Sequence, residues 1–181
     1  DKVLAEIVSR GTRHAEHKAK VIYSFGNADC AAVCAQAQLT LENISPIFPE
    51  EVEKEADEIL AEITDEDMTQ KEKARAIYDW TRTNIGYVNS SEKESWTNGA
   101  HQGFTTRQGD CFIFFATAKA LLTQAGIPNL DIEKSDTSHS RHYWSLVDVG
   151  DGWYHFDTTP RQGGGEFFLL TDCLLYTSDA A

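Results

Sequence analysis

Three side chains carry the chemistry for which this sequence is best equipped: Cys111, His142 and Asp157. A thiol turns nucleophilic where its thiolate is stabilised. Gly109-Asp110-Cys111 reads as the entry to a helix in which Asp110 is a good N-cap. The cysteine then meets unpaired N–H groups and the positive end of the helix dipole. The other reading is a buried structural cysteine, and the G-D-C placement after a glycine-rich stretch favours the nucleophile. A nucleophile of this kind needs a base within hydrogen-bond reach and a third group to orient that base. His142 and Asp157 lie 31 and 46 residues beyond Cys111, on two segments that read as paired strands. A helix and a hairpin can therefore bring together groups that the sequence holds apart.

Six histidines compete for the role of base. His14 and His17 lie near the start, His101 in a polar stretch and His139 in a serine-rich turn. His155 is the nearest rival, because at period two its side chain shares a strand face with Asp157. The residues favour His142. Cys30 and Cys34, in C-A-A-V-C, read as small buried apolar residues and complete neither a disulfide framework nor a four-ligand zinc set.

The elements that must position these groups follow from periodicity and punctuation. Val52, Ala56, Ile59, Leu60 and Ile63 recur at helical spacing, opposite acids that lack the order of a calcium loop and read as a solvated face. Thr69-Gln70-Lys71-Glu72 forms a capping box for a second helix, with Ala74, Ile77, Tyr78, Thr81 and Ile85 on its buried side. Residues 86–109 are polar and hold four glycines, and they read as a long functional or disordered loop. A third helix is expected from Cys111 to Ala125, closed by Gly126 and Pro128. Strands are expected at 131–134, 142–149, 153–158 and 166–171, with Gly150-Asp151-Gly152 turning the middle pair. Helices followed by an antiparallel sheet define an α+β fold.

Register constrains the chemistry further. A three-residue turn at 150–152 would set Ser145 opposite Asp157 and put His142 on the other face. A four-residue connection, 149–152, sets Trp144 opposite Asp157 and makes His142 its diagonal neighbour. The constellation therefore requires an even-length connection or a β-bulge.

Upstream, Val21-Ile22-Tyr23 and Gln38-Leu39-Thr40-Leu41 read as strands about a Gly26-Asn27 turn, and Ser45-Pro46-Ile47-Phe48-Pro49 reads as a linker. Residues 1–48 are thus expected to be the end of a preceding β-rich module with its linker, and 49–172 the domain that carries the chemistry. Residues 173–181, Cys-Leu-Leu-Tyr-Thr-Ser-Asp-Ala-Ala, resemble the translation of a transposase adaptor used in sequencing libraries, and the expectation is read-through, not native protein.

Composition narrows the function classes. Hydrophobic residues at 41% and charged residues at 25% suit a globular protein with a real core. Sixteen Lys and Arg against 29 Asp and Glu, a net charge of −13, argue against nucleic acid as a partner. Residues 50–72 alone hold eleven acids and two lysines and supply −9 of that charge. No apolar run approaches the roughly 20 residues needed to cross a bilayer. The chain begins at Asp1, so any export signal or anchor is expected upstream of it.

Gly109-Asp110-Cys111, His142-Tyr143-Trp144 and Gly152-Trp153-Tyr154-His155-Phe156-Asp157-Thr158-Thr159-Pro160 together resemble the transglutaminase-like superfamily of papain-like cysteine enzymes, over roughly residues 69–172. The resemblance implies a Cys111, His142, Asp157 triad and a papain-like α+β core with the Cys-bearing helix packed on an antiparallel sheet. It also resembles secreted or surface-attached bacterial members, in which the domain follows β-sandwich modules, and so implies an extracellular or cell-surface location. The superfamily often takes its second oxyanion donor from an aromatic side chain. Trp96 is the candidate here, with Trp144 and Trp153 as further cleft residues.

The expected activity is acyl transfer on peptide or glutamine amides through a thioester, with hydrolysis favoured, on protein or peptide substrates that include cell-wall peptide. No metal or organic cofactor is required. The alternatives are a protein-crosslinking transamidase and a non-catalytic module that binds peptide or cell-wall polymer.

Overall fold

The structure, a computed structural model, describes residues 20–23, 49–91, 93, 95–134, 141–161, 163–172 and 174. The strand expected at 38–41, the Gly26-Asn27 turn, Cys30, Cys34, His14, His17 and His139 lie outside the described residues, as does nearly all of the segment 173–181.

The first helix, α1 (Glu50–Ile63), buries Val52, Ala56, Ile59 and Leu60 and leaves its acids on the other side. Its successor α2 (Gln70–Asn84) opens on the expected capping box: Thr69 Oγ1 accepts the Glu72 N–H at 3.2 Å, and Glu72 Oε2 accepts the Thr69 N–H at 2.9 Å. Tyr78, fully buried on α2, accepts the backbone N–H of Phe167 on its hydroxyl at 2.8 Å, tying this helix to the last strand.

The stretch 86–109 is a correction, because it is built rather than loop. It forms β2 (Gly86–Tyr87), α3 (Trp96–Thr106) and β3 (Gln108–Gly109), and β2 pairs in parallel with β3. The glycines that suggested a loop are contact residues of a helix. A Cβ on Gly103 would lie 1.9 Å from Thr117 Oγ1, and one on Gly99 would lie 3.0 Å from the Ala116 Cβ. Small residues four apart let α3 press against its neighbour, and Ser95 caps it by accepting the Thr97 N–H.

That neighbour is α4 (Cys111–Gln124), Cys-Phe-Ile-Phe-Phe-Ala-Thr-Ala-Lys-Ala-Leu-Leu-Thr-Gln, which is apolar around nearly its whole circumference and is the central helix of the core. Its Phe, Ile and Thr residues are mediocre helix formers, each about 0.7 kcal/mol worse than Ala at most. Burying a large apolar side chain returns roughly 1.5–3 kcal/mol, so burial decides the conformation. The helix packs against α1, α2 and α3 on one side and the sheet on the other.

The sheet holds β4 (Asn129–Lys134), β5 (Tyr143–Asp148), β6 (Trp153–Asp157) and β7 (Phe167–Leu170) in antiparallel succession, with β1 (Lys20–Tyr23) parallel at the β4 edge. Tyr143, Val147 and Phe156 pack towards the helices, while Leu130, Ile132 and Leu146 are buried outside that cluster. The fold is α+β, with the Cys111 helix on a largely antiparallel sheet.

Candidate active site

Cys111 owes its position to the two residues before it. A Cβ on Gly109 would sit 2.2 Å from Ile113 Cγ1, so only glycine lets β3 turn directly into α4. Asp110 caps the helix by accepting the Phe112 N–H at 2.9 Å, and it also accepts the Ser91 hydroxyl at 2.6 Å and pairs with Lys93 at 3.2 Å. Burial alone would raise the Asp110 carboxyl, but Ser91, Lys93 and the Phe112 N–H hold it below the usual carboxylate range. The buried Cys111 thiol points to the backbone carbonyl of Arg141, Sγ to O 3.8 Å, next to His142 in the chain.

The β5–β6 hairpin supplies the other two groups. Asp148 pairs with Trp153 and Ser145 with Phe156, so the connection is the four residues 149–152. Continuing that register sets Trp144 opposite Asp157 and His142 diagonally across. His142 Nε2 lies 2.7 Å from Asp157 Oδ2. The same carboxylate accepts the Thr159 N–H at 2.9 Å and Arg161 Nη2 at 3.3 Å, and Thr158 Oγ1 donates to the Phe114 carbonyl, pinning the end of β6 to α4.

The electrostatics follow from this packing. Burial opposes the charged form of His142, but the Asp157 carboxylate and its hydrogen bond, with a smaller contribution from nearby Cys111, outweigh it and push the imidazole from 6.5 to about 9. Burial would raise Asp157, yet His142, the Thr159 N–H and Arg161 hold it low. With Nε2 engaged by Asp157, Nδ1 is the ring nitrogen left to face the thiol.

The aromatic candidates divide. Trp144 stacks on His142, with ring centroids 5.6 Å apart and planes 26° from parallel. Trp96 is buried in the core at the start of α3 under the Lys119 ammonium, 4.7 Å from its ring, a placement that gives the oxyanion expectation no support. Trp153 stands at the opposite end of β6 from Asp157, about 13 Å away at strand rise.

Other groups at the site escaped the sequence reading. Arg161 braces Asp157, and its spacing of i+4 was a weak signal. Tyr87, half exposed on β2, lies close enough to Cys111 and Asp110 for their charges, after burial, to raise its phenol. His155 is no base for Cys111: it is buried, accepting the Trp144 indole N–H on Nδ1 at 2.9 Å and contacting Asp172 Oδ1 through Nε2 at 2.8 Å.

The transglutaminase-like superfamily matches residues 57–158, a span that holds Cys111, His142 and Asp157. A solved structure of a proposed cysteine protease from Cytophaga hutchinsonii is similar to this chain with a TM-score of 0.50 and 22% identity, covering 67% of this chain and 44% of that one. A solved TGase is similar with a TM-score of 0.47 and 14% identity, covering 75% of this chain and 39% of that one. The chain therefore spans less than half the length of each of these two structures. No curated protein matches it.

Proposed function

From the premise that the chain belongs to the transglutaminase-like superfamily, we propose that it is a cysteine-dependent acyl-transfer enzyme that cleaves peptide or glutamine amides through a thioester, with water as the favoured acceptor. The observation that carries the reading is His142 Nε2 held 2.7 Å from Asp157 Oδ2, with the Cys111 thiol 3.8 Å from the carbonyl of the adjacent Arg141.

In the first half-reaction the Cys111 thiolate attacks the amide carbonyl carbon. A carbon–sulfur bond forms, and the carbon–nitrogen bond breaks as the His142 imidazolium gives its proton from Nδ1 to the departing amine. The raised His142 favours the imidazolium at neutral pH, which is the acid this step needs. The backbone N–H of Cys111, in the first helical turn with no intrahelical acceptor, is the donor assigned to the developing oxyanion. In the second half-reaction the neutral His142 takes a proton from water, whose oxygen attacks the thioester and releases the carboxylate and the thiol. Asp157 keeps the ring oriented and its charge compensated throughout.

Water over amine is supported by the position of the acidic helix. Crosslinking would gain from an acidic rim that guides lysine to the thioester, and α1 is the strongest concentration of acid in the chain. Its Asp57 instead contacts Gln124, thirteen residues along α4 from Cys111 and so about 20 Å away along the helix axis. The test incubates the protein with a glutamine-containing protein and a labelled primary amine while following ammonia or peptide release and label incorporation. Release with little incorporation supports the proposal. Efficient incorporation makes it a transamidase, and neither product across a broad substrate panel makes it a binding module.

A further inference from the structure

His155 is the one buried titratable side chain on β5 or β6 that the mechanism does not use, with only 1% of its surface exposed. A group of this polarity is retained in a core at the cost of desolvation unless its hydrogen bonds are met, and here both ring nitrogens are engaged. The Trp144 indole N–H can only donate, so Nδ1 of His155 is the acceptor and Nε2 is the donor to Asp172. The other side of this arrangement faces the reaction: Trp144 is the residue whose ring stacks on His142. Asp172, His155, Trp144, His142 and Asp157 thus form one continuous set of contacts across β5 and β6.

We propose that His155, held by Asp172, is a positioning residue that fixes the rotation of the Trp144 indole and through it the plane of the His142 ring. The proposal rests on the reading of His142 as the partner of Cys111. The physical need is specific. The ring of His142 must present Nε2 to Asp157 and Nδ1 to the thiol at once, which defines its plane, and a stacked indole restrains that plane only if the indole itself cannot swing. A hydrogen bond at Nε1, which lies on one edge of the indole and off its Cβ–Cγ axis, is a contact that opposes rotation about that bond. Leucine or phenylalanine at 155 would fill the space without supplying the acceptor.

The test compares the pH dependence of Cys111 alkylation by iodoacetamide in the wild type, Trp144→Phe, His155→Phe and the double variant, with peptide mass spectrometry as the readout. Trp144→Phe keeps a stacking ring and removes the N–H. Each single variant is expected to slow alkylation at pH 6 about fivefold, and the double variant no further, because both remove the same hydrogen bond. Leu122→Val, a core change far along α4 from Cys111, controls for lost stability and is expected to leave the profile unchanged. Wild-type profiles in both single variants, additive losses in the double variant, or an equal loss in Leu122→Val would overturn the proposal. If His155→Phe does not fold, Trp144→Phe decides alone. Failure of the underlying reading looks different, since His142→Ala would then leave the wild-type profile unaltered.

Discussion

The Nε2 of His142 meets Oδ2 of Asp157 at 2.7 Å although His142 immediately precedes β5, Asp157 ends β6 and the two are not directly paired. The contact is diagonal, and it exists because the residues opposite one another are Trp144 and Asp157, which follows from the pairing of Asp148 with Trp153 at the hairpin end. One residue more or less in the connection would carry His142 to the other face of the sheet.

Deleting Gly150 tests this directly. The variant is expected to keep its helical signal and lose alkylation of Cys111 at low pH together with any amide cleavage. Activity at the wild-type level after the deletion would show that the hairpin register does not govern the site.

The charge on the pair predicts a pH dependence of stability. His142 is raised in the folded state, so its contribution is fully present below 6.5 and is lost as pH rises through about 9. Asp157 is lowered, so its contribution is present above 3.8 and is lost as pH falls through its folded value. Asp157→Asn should therefore reduce stability in urea by on the order of 2–3 kcal/mol near pH 5–6, with the gap closing towards pH 10. A gap that stays constant from pH 5 to 10 would mean the two side chains are not charge-coupled.

Gly103→Ala inverts a rule. At an exposed helical position the change would gain about 1 kcal/mol. Here the added methyl would overlap Thr117 Oγ1 at 1.9 Å and approach Ile113 and the Thr117 Cβ at 3.2 Å, so turning the threonine does not relieve it. A loss of roughly 1–3 kcal/mol, read as a lowered Tm, is expected. An unchanged or raised Tm would show that α3 and α4 pack less closely than described.

Legibility in the sequence followed the range of the interactions. The Thr69–Glu72 box and the Asp110 cap involve residues two or three apart, and both stand where their local chemistry indicates. The four-residue hairpin could be named as a requirement because strand parity is arithmetic once two facing residues are assigned roles. Helix α3 was hidden because Gly99 and Gly103 punctuate a chain locally and acquire their meaning only from Ala116 and Thr117 on another helix. Trp96 looked like a cleft residue for the same reason, since its burial beneath Lys119 depends on α3 existing. The partnership of His155 with Trp144 and Asp172 spans 11 and 17 residues, and no local pattern marks it.

The central claim is that Cys111 reacts as one half of an ion pair with His142, and the most direct measurement is the pH profile of Cys111 alkylation by iodoacetamide in the wild type and in His142→Ala. Because the thiol is buried, the shape of the profile decides and the absolute rate does not. The wild type is expected to alkylate at pH 6 at nearly its pH 8 rate, while His142→Ala falls steeply between the two, by roughly a hundredfold, as a thiol that must first lose its proton does. Superimposable profiles for the two proteins, both falling as a free thiol does, would contradict it.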